Sequence, residues 1–123
     1  MMPHFKKNID KWKYDFETDT FYLRDKSIPY HSSIDMGDLI MDIGEDGTPI
    51  GVELLDASKN FKVSKVVMKG IEGFNANIDV SETEIKVTIT AFVKLRNTKV
   101  EKVSVSHGVN DINLQPGQTA MAC

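Results

Sequence analysis

Leu39-Ile40-Met41-Asp42-Ile43 and Ile50-Gly51-Val52-Glu53-Leu54 each carry apolar residues at alternate positions, and Glu45-Asp46-Gly47 lies between them. Alternation of this period places one set of side chains on one face of a strand, and an Asp-Gly pair between two such runs predicts a β-hairpin. With Asp46-Gly47 as a two-residue turn, Ile43 faces Ile50, Met41 faces Val52 and Leu39 faces Leu54. A slip of one residue would bring Gly51, Glu53 and Leu55 to that side, so burial specifies the register. Asp56 then ends the strand and is placed to cap a short helix starting at Ala57.

The order of these blocks carries a resemblance. A strand with Asp42, the Asp46-Gly47 turn, Ile50-Gly51-Val52-Glu53-Leu54-Leu55 and Asp56-Ala57-Ser58 resembles the family described as domain of unknown function 2283. Tyr14-Asp15-Phe16-Glu17-Thr18-Asp19-Thr20-Phe21-Tyr22-Leu23 is similar to that family's opening hairpin, and the resemblance spans roughly residues 12–60. It implies a small β-rich fold of prokaryotic, often archaeal, proteins. It implies no catalytic residues, and for some members an association with toxin–antitoxin pairs.

Elsewhere the periodicity continues. Trp12, Tyr14 and Phe16 alternate with Lys13 and Asp15, and a return strand places Phe21 and Leu23 inward and Tyr22 outward. Residues 1–11 are expected to be frayed or loosely attached, and residues 25–37, with Pro29 and Gly37, read as a connection. A second short helix is expected over Lys65 to Lys69 with Gly70 ending it. Ile85, Val87, Ile89, Ala91, Val93 and Leu95 alternate with Lys86, Thr88, Thr90, Phe92 and Lys94 along a half-buried antiparallel strand. Arg96-Asn97-Thr98 turns it back into Lys99 to His107, with Val103 and Val105 expected inward, and residues 110–122 are expected to supply two short edge strands. The fold class expected is mainly β: antiparallel hairpins with one or two short helices between two β-rich halves. Residues 1–123 form a single domain, a module over 12–60 with an antiparallel extension over 61–123 packed on it.

With 41% hydrophobic and 27% charged residues the chain can bury a core. The net charge of −3 argues against wholesale phosphate binding, and no apolar run approaches the roughly 18 residues of a membrane span, so neither nucleic acid nor membrane is expected as a partner. Met1 to Lys13 is polar and has no apolar signal core. Cys123 is the sole cysteine, which excludes an intramolecular disulfide and points to a reducing cytoplasm.

Chemistry has few places to reside. His4, His31, His107 and Cys123 show no metal-ligand spacing, and neither glycine cluster is followed by the Lys-Ser/Thr of a phosphate loop. Asp15 and Asp19 read as acceptors of turn N–H groups, and Lys59, Lys62, Lys65 and Lys69 as a solvated face. The acidic candidates are Asp42, opposite Gly51 and diagonal to Glu53, with Asp56 at the strand end; Asp38 precedes the hairpin. Such carboxylates serve structure, bind a hard cation or tune one another's acidity. No cofactor is expected. Ile40, Leu55 and Phe92, with Tyr22, point away from the assigned core and are the interface candidates. The sequence thus favours a non-catalytic, self-associating interaction or regulatory protein, a dimer first, with a protein partner as a further option. The competing reading is a small metal- or ligand-binding protein or hydrolase using Asp42, Glu53 and Asp56.

Overall fold

The computed structural model describes residues 4–8 and 11–122. In chain order its elements are β1 (His4–Asn8), β2 (Lys11–Asp15), β3 (Thr20–Arg24), β4 (Tyr30–Asp35), β5 (Leu39–Gly44), β6 (Pro49–Leu54), α1 (Ala57–Phe61), α2 (Lys65–Met68), β7 (Gly73–Val80), β8 (Glu84–Leu95), β9 (Thr98–Val109) and β10 (Gly117–Ala122). One five-stranded sheet has the order β2-β3-β6-β5-β4 and the other β1-β10-β7-β8-β9. Pairing is antiparallel except between β1 and β10, which run parallel.

Apart from β1, which joins the second sheet from the N-terminal side of the helices, the two β-rich halves expected from the sequence are these two sheets, with the two short helices between them in the chain. Their inner faces share one core. Phe21, Leu23, Leu39, Met41, Val52 and Leu54 of the first sheet join Phe74, Ile78, Ile85, Val87, Ile89 and Val93 of the second in a single buried cluster. Phe21 and Phe74 meet edge to face across it, with ring centroids 5.4 Å apart, and Trp12 lies 6.0 Å from both. Burying each large apolar side chain is worth about 1.5–3 kcal/mol, so a slipped register would forfeit several such contributions at once.

The central hairpin keeps its expected register at Leu39 with Leu54, Met41 with Val52 and Asp42 with Gly51, and then departs from it. Ile43 pairs with Pro49, and Ile50 is the extra residue of a bulge. The cause is the turn. Gly44 N–H donates to the Thr48 carbonyl and Gly47 N–H to the Gly44 carbonyl, so the loop has three residues, with Gly47 at φ 83°. Ile50 stays buried but outside the main cluster, beside Gly44 and Ile28.

Three further expectations are corrected. Residues 4–8, expected to be frayed or loosely attached, pair with β10, and residues 30–35, expected as a connection, form the edge strand β4. Residues 110–122 yield one strand, β10, inserted between β1 and β7 rather than two at an edge. Its approach is fixed by the buried Asn110 amide, which donates to the carbonyls of Ser81 and Leu114 and accepts from Leu114 N–H.

The largest correction is in β9. The Arg96-Asn97 turn, with φ 51° and 62°, pairs Leu95 with Thr98 and hence Val93 with Val100, Ile89 with Ser104 and Val87 with Ser106. Residues directly opposite in a sheet share a face, so Ser104 and Ser106 turn inward and Val103 and Val105 outward, 51% and 44% exposed. Ser106 uses the inward position to donate to Asp38 Oδ1 at 2.9 Å.

Candidate functional site

The polar groups that converge most closely come from the two ends of the first half. Tyr14 lies on β2, Asp19 in the turn leading into β3 and Ser58 in the first turn of α1. The Asp19 carboxylate accepts the Tyr14 hydroxyl at 2.6 Å and the Ser58 N–H at 3.0 Å on Oδ1, and the Ser58 hydroxyl at 2.7 Å on Oδ2. Its main-chain carbonyl accepts Ala57 N–H at 2.8 Å. Asp19 therefore satisfies the free amides at the start of α1 from 39 residues away.

Asp56 was expected to do this and does not. It sits at φ 48°, ψ 48°, is exposed, and makes no side-chain capping bond. A capping residue needs extended backbone to aim its side chain at the next amides, and the left-handed conformation of Asp56 forbids that. Ser64 has the extended conformation, φ −76° and ψ 158°, and caps α2 by accepting Val67 N–H. Asp15 fulfils its reading: Oδ1 accepts the turn N–H groups of Glu17 and Thr18.

Electrostatics make the Tyr14–Asp19–Ser58 group a clamp. Partial burial pushes the Asp19 carboxyl up, but the Ser58 hydroxyl, the Tyr14 hydroxyl, the Ser58 N–H and the charge of Lys65 outweigh it and hold the carboxyl below its ordinary value. Tyr14 is pushed well above the usual phenol range by burial, by its hydrogen bond to Asp19 and by the nearby Asp19 and Asp15 charges. A carboxylate made less basic is a poor base for Ser58, and Ser58 is buried at 7% exposure. Neither a nucleophile nor a tyrosinate is prepared here.

A second group lies on the outer face of the first sheet. Arg24 Nη2 contacts Asp42 Oδ2 at 2.5 Å and Ser33 donates to Asp42 Oδ1 at 2.7 Å. The Tyr30 hydroxyl and Ser33 Oγ are 2.7 Å apart, and the Arg24 guanidinium stands 5.4 Å from the centre of the Tyr30 ring. Glu53 shares the Asp42 face but pairs across the ladder with Ile40 and Tyr22, and Asp56 lies beyond the strand end. Among the described residues no three His, Cys, Asp or Glu side chains are grouped so as to hold a metal ion. Asp42, Glu53 and Asp56 are thus not brought together, and Asp42 already has a cation. The sequence reading missed Arg24, whose only signal was its place across from Gly51 once β3 pairs with β6.

Ile40 and Leu55, both half-buried, lie on the outer side of the first sheet, and Phe92, half-buried beneath the Lys99 ammonium, on the outer side of the second. A single patch cannot hold all three. The lysine series is mostly exposed, but Lys65 and Lys69 reach the Phe16 ring, with ammonium groups 4.6 and 4.8 Å from its centre. A cleft of about 530 Å³ opens between the β5–β6 turn and residues 112–119. Among the described residues no buried side-chain nitrogen or oxygen lacks a partner.

The family model described as protein of unknown function (DUF2283) matches residues 11–58. That span runs from β2 to Ser58 and contains all three members of the clamp. Over 106 residues the chain is 41% identical to a protein of Methanosarcina mazei provisionally named hypoxanthine phosphoribosyltransferase, covering 86% of each. Over 112 residues it is 30% identical to an uncharacterized protein of Methanocaldococcus jannaschii, covering 90% of this chain and 97% of that one. No solved structure gives a significant match.

Proposed function

This chain belongs to the DUF2283 family of proteins of unknown function, and from that premise we propose that it is a non-catalytic interaction protein that associates with itself. The observation that carries the reading is the outward set Val103, Val105 and Val109, exposed at 51%, 44% and 67% on the terminal strand of a sheet. Exposed apolar side chains gathered on one strand are a mark of association surfaces, and here Val103 and Val105 are outward neighbours with Val109 beyond His107. The non-catalytic part rests on the chemistry of the polar groups: Asp19, Tyr14 and Ser58 are committed to one another, and Asp42 to Arg24 and Ser33. The competing acidic-site reading has the weaker support, because Asp42 is engaged by Arg24 and Ser33 and, among the described residues, no three acidic, His or Cys side chains are grouped so as to hold a metal ion.

The provisional name of the Methanosarcina mazei relative is not extended to this chain. Phosphoribosyl transfer needs donors free to receive phosphate, commonly at a helix N-terminus. Here Asp19 takes the Ala57 and Ser58 N–H groups at the start of α1, and Ser64 takes Val67 N–H at the start of α2. The proposed setting is the cytoplasm, in keeping with a single cysteine. None of the helices among the described residues is long and apolar enough to cross a membrane.

Light scattering at micromolar concentration tests the reading. A particle of twice the 13.8 kDa chain mass is expected, and only the single-chain mass at every concentration overturns it.

A further inference from the structure

The free edge of β9 is itself specific. β9 ends its sheet and has twelve residues. The other terminal strands are shorter: β1 and β2 have five residues each, and β4 has six with a bulge between Tyr30 and Ser32. The Arg96-Asn97 turn closes on the Leu95–Thr98 pair. Alternation along an antiparallel ladder then aims the main-chain groups of Thr98, Val100, Lys102, Ser104, Ser106 and Gly108 at β8. Asn110 continues this series, its N–H donating to the Thr83 carbonyl. The main-chain groups of Lys99, Glu101, Val103, Val105, His107 and Val109 face the open edge, and these are the residues whose side chains stand on the outer face.

Resting on the self-association reading, we propose that β9 pairs antiparallel with β9 of a second copy about a two-fold axis at Ser104. Val103 lies opposite the partner's Val105, Glu101 opposite the partner's His107, and Lys99 opposite the partner's Val109. Sequence complementarity selects this register. It brings each central valine against a valine and each Glu101 against a histidine, pairs that stabilise adjacent strands. A shift of two residues one way sets Glu101 against Val105 and Lys99 against His107. A shift the other way sets Val103 against His107 and Glu101 against Val109. The chosen register also lets residues 99–109 overlap over their whole length, joining two five-stranded sheets into one continuous sheet.

Cross-linking tests the register in the full chain carrying Cys123→Ser. Ser104→Cys places two thiols across the axis at a non-hydrogen-bonded position, where Cα atoms stand about 4.5 Å apart, within the reach of a disulfide. Oxidised glutathione should convert most of this variant to a covalent dimer on a non-reducing gel, while Val103→Cys and Val105→Cys remain single chains. Because Ser104 is buried at 5% exposure, a second probe uses the exposed pair Glu101→Cys with His107→Cys. The double variant should cross-link and neither single variant should. A dimer by light scattering without these links, or a Val103→Cys variant that links to itself, overturns the register and leaves self-association standing. A single-chain mass throughout overturns both.

Discussion

Asp19→Ala removes, in one substitution, the acceptor for Tyr14 and for both donors of Ser58. Hydrogen bonds to a charged acceptor are worth about 1.5–3 kcal/mol each, but three bonds sharing one half-exposed carboxylate do not add, and water replaces part of the loss at Tyr14. Ser58 is buried, so its N–H and hydroxyl meet no such relief. The expected loss is about 3 kcal/mol, larger than the roughly 0.5–2 kcal/mol typical of a lost helix cap. Asp19→Asn keeps Oδ1 for Tyr14 and the Ser58 N–H, and the Ser58 hydroxyl can reverse its role, so about 1 kcal/mol is expected. Asp56→Ala, at the position that merely precedes the helix, should cost under about 0.5 kcal/mol through its side chain, and Asp56→Gly should stabilise by up to about 1 kcal/mol because φ 48° suits glycine. Urea unfolding followed by Trp12 fluorescence would rank the four variants. Equal losses at Asp19 and Asp56 would refute the clamp. The pH dependence gives a second check. The folded carboxyl sits below the 3.8 of an unperturbed Asp, so the unfolded chain takes up the proton first. The Asp19 contribution is therefore full above that value and is lost as pH falls through the lower folded one. The stability gap between the parent and Asp19→Asn should be constant above about pH 5 and close on further acidification.

Gly51→Val should cost about 1–3 kcal/mol, because a Cβ there would stand 2.6 Å from the Leu23 carbonyl oxygen, while Glu53→Gln should be neutral; equal thermal melting would contradict the close approach. Asn110→Ala should lose about 2–4 kcal/mol by stranding Leu114 N–H and two carbonyls, and a loss under about 0.5 kcal/mol in urea would show that the loop repacks freely. Arg24→Met should lose only about 1 kcal/mol, since the guanidinium is partly exposed, and millimolar Mg²⁺ or Ca²⁺ should leave the parent's melting temperature unchanged; a rise of several degrees would restore the acidic-site reading. Tyr14→Phe should flatten the loss of stability above pH 10.0, where the unfolded chain releases a phenolic proton that the folded one retains, and an unchanged alkaline limb would remove Tyr14 from the clamp.

The sequence by itself determined the elements whose information is local. Alternating apolar residues in 39–43, 50–54 and 85–93 placed strands and their buried faces, because a period of two survives any arrangement of the partners. The second helix was legible at Lys65 to Lys69, with Gly70 beyond it, because its signals are local. Tertiary structure decided what depends on parity or on distance. Val103 and Val105 look like core residues, yet a two-residue turn sets which face each residue of β9 inherits from β8, and that count put serines inside and valines outside. One added loop residue at Gly47 moved Ile50 out of the ladder in the same way. Asp19 gave the sequence only a turn acidic residue, and Asp56 a ready cap. The choice between them fell to the packing of β3 beside β6, which brings Asp19 to Ser58 across 39 positions, a contact that no local spacing encodes.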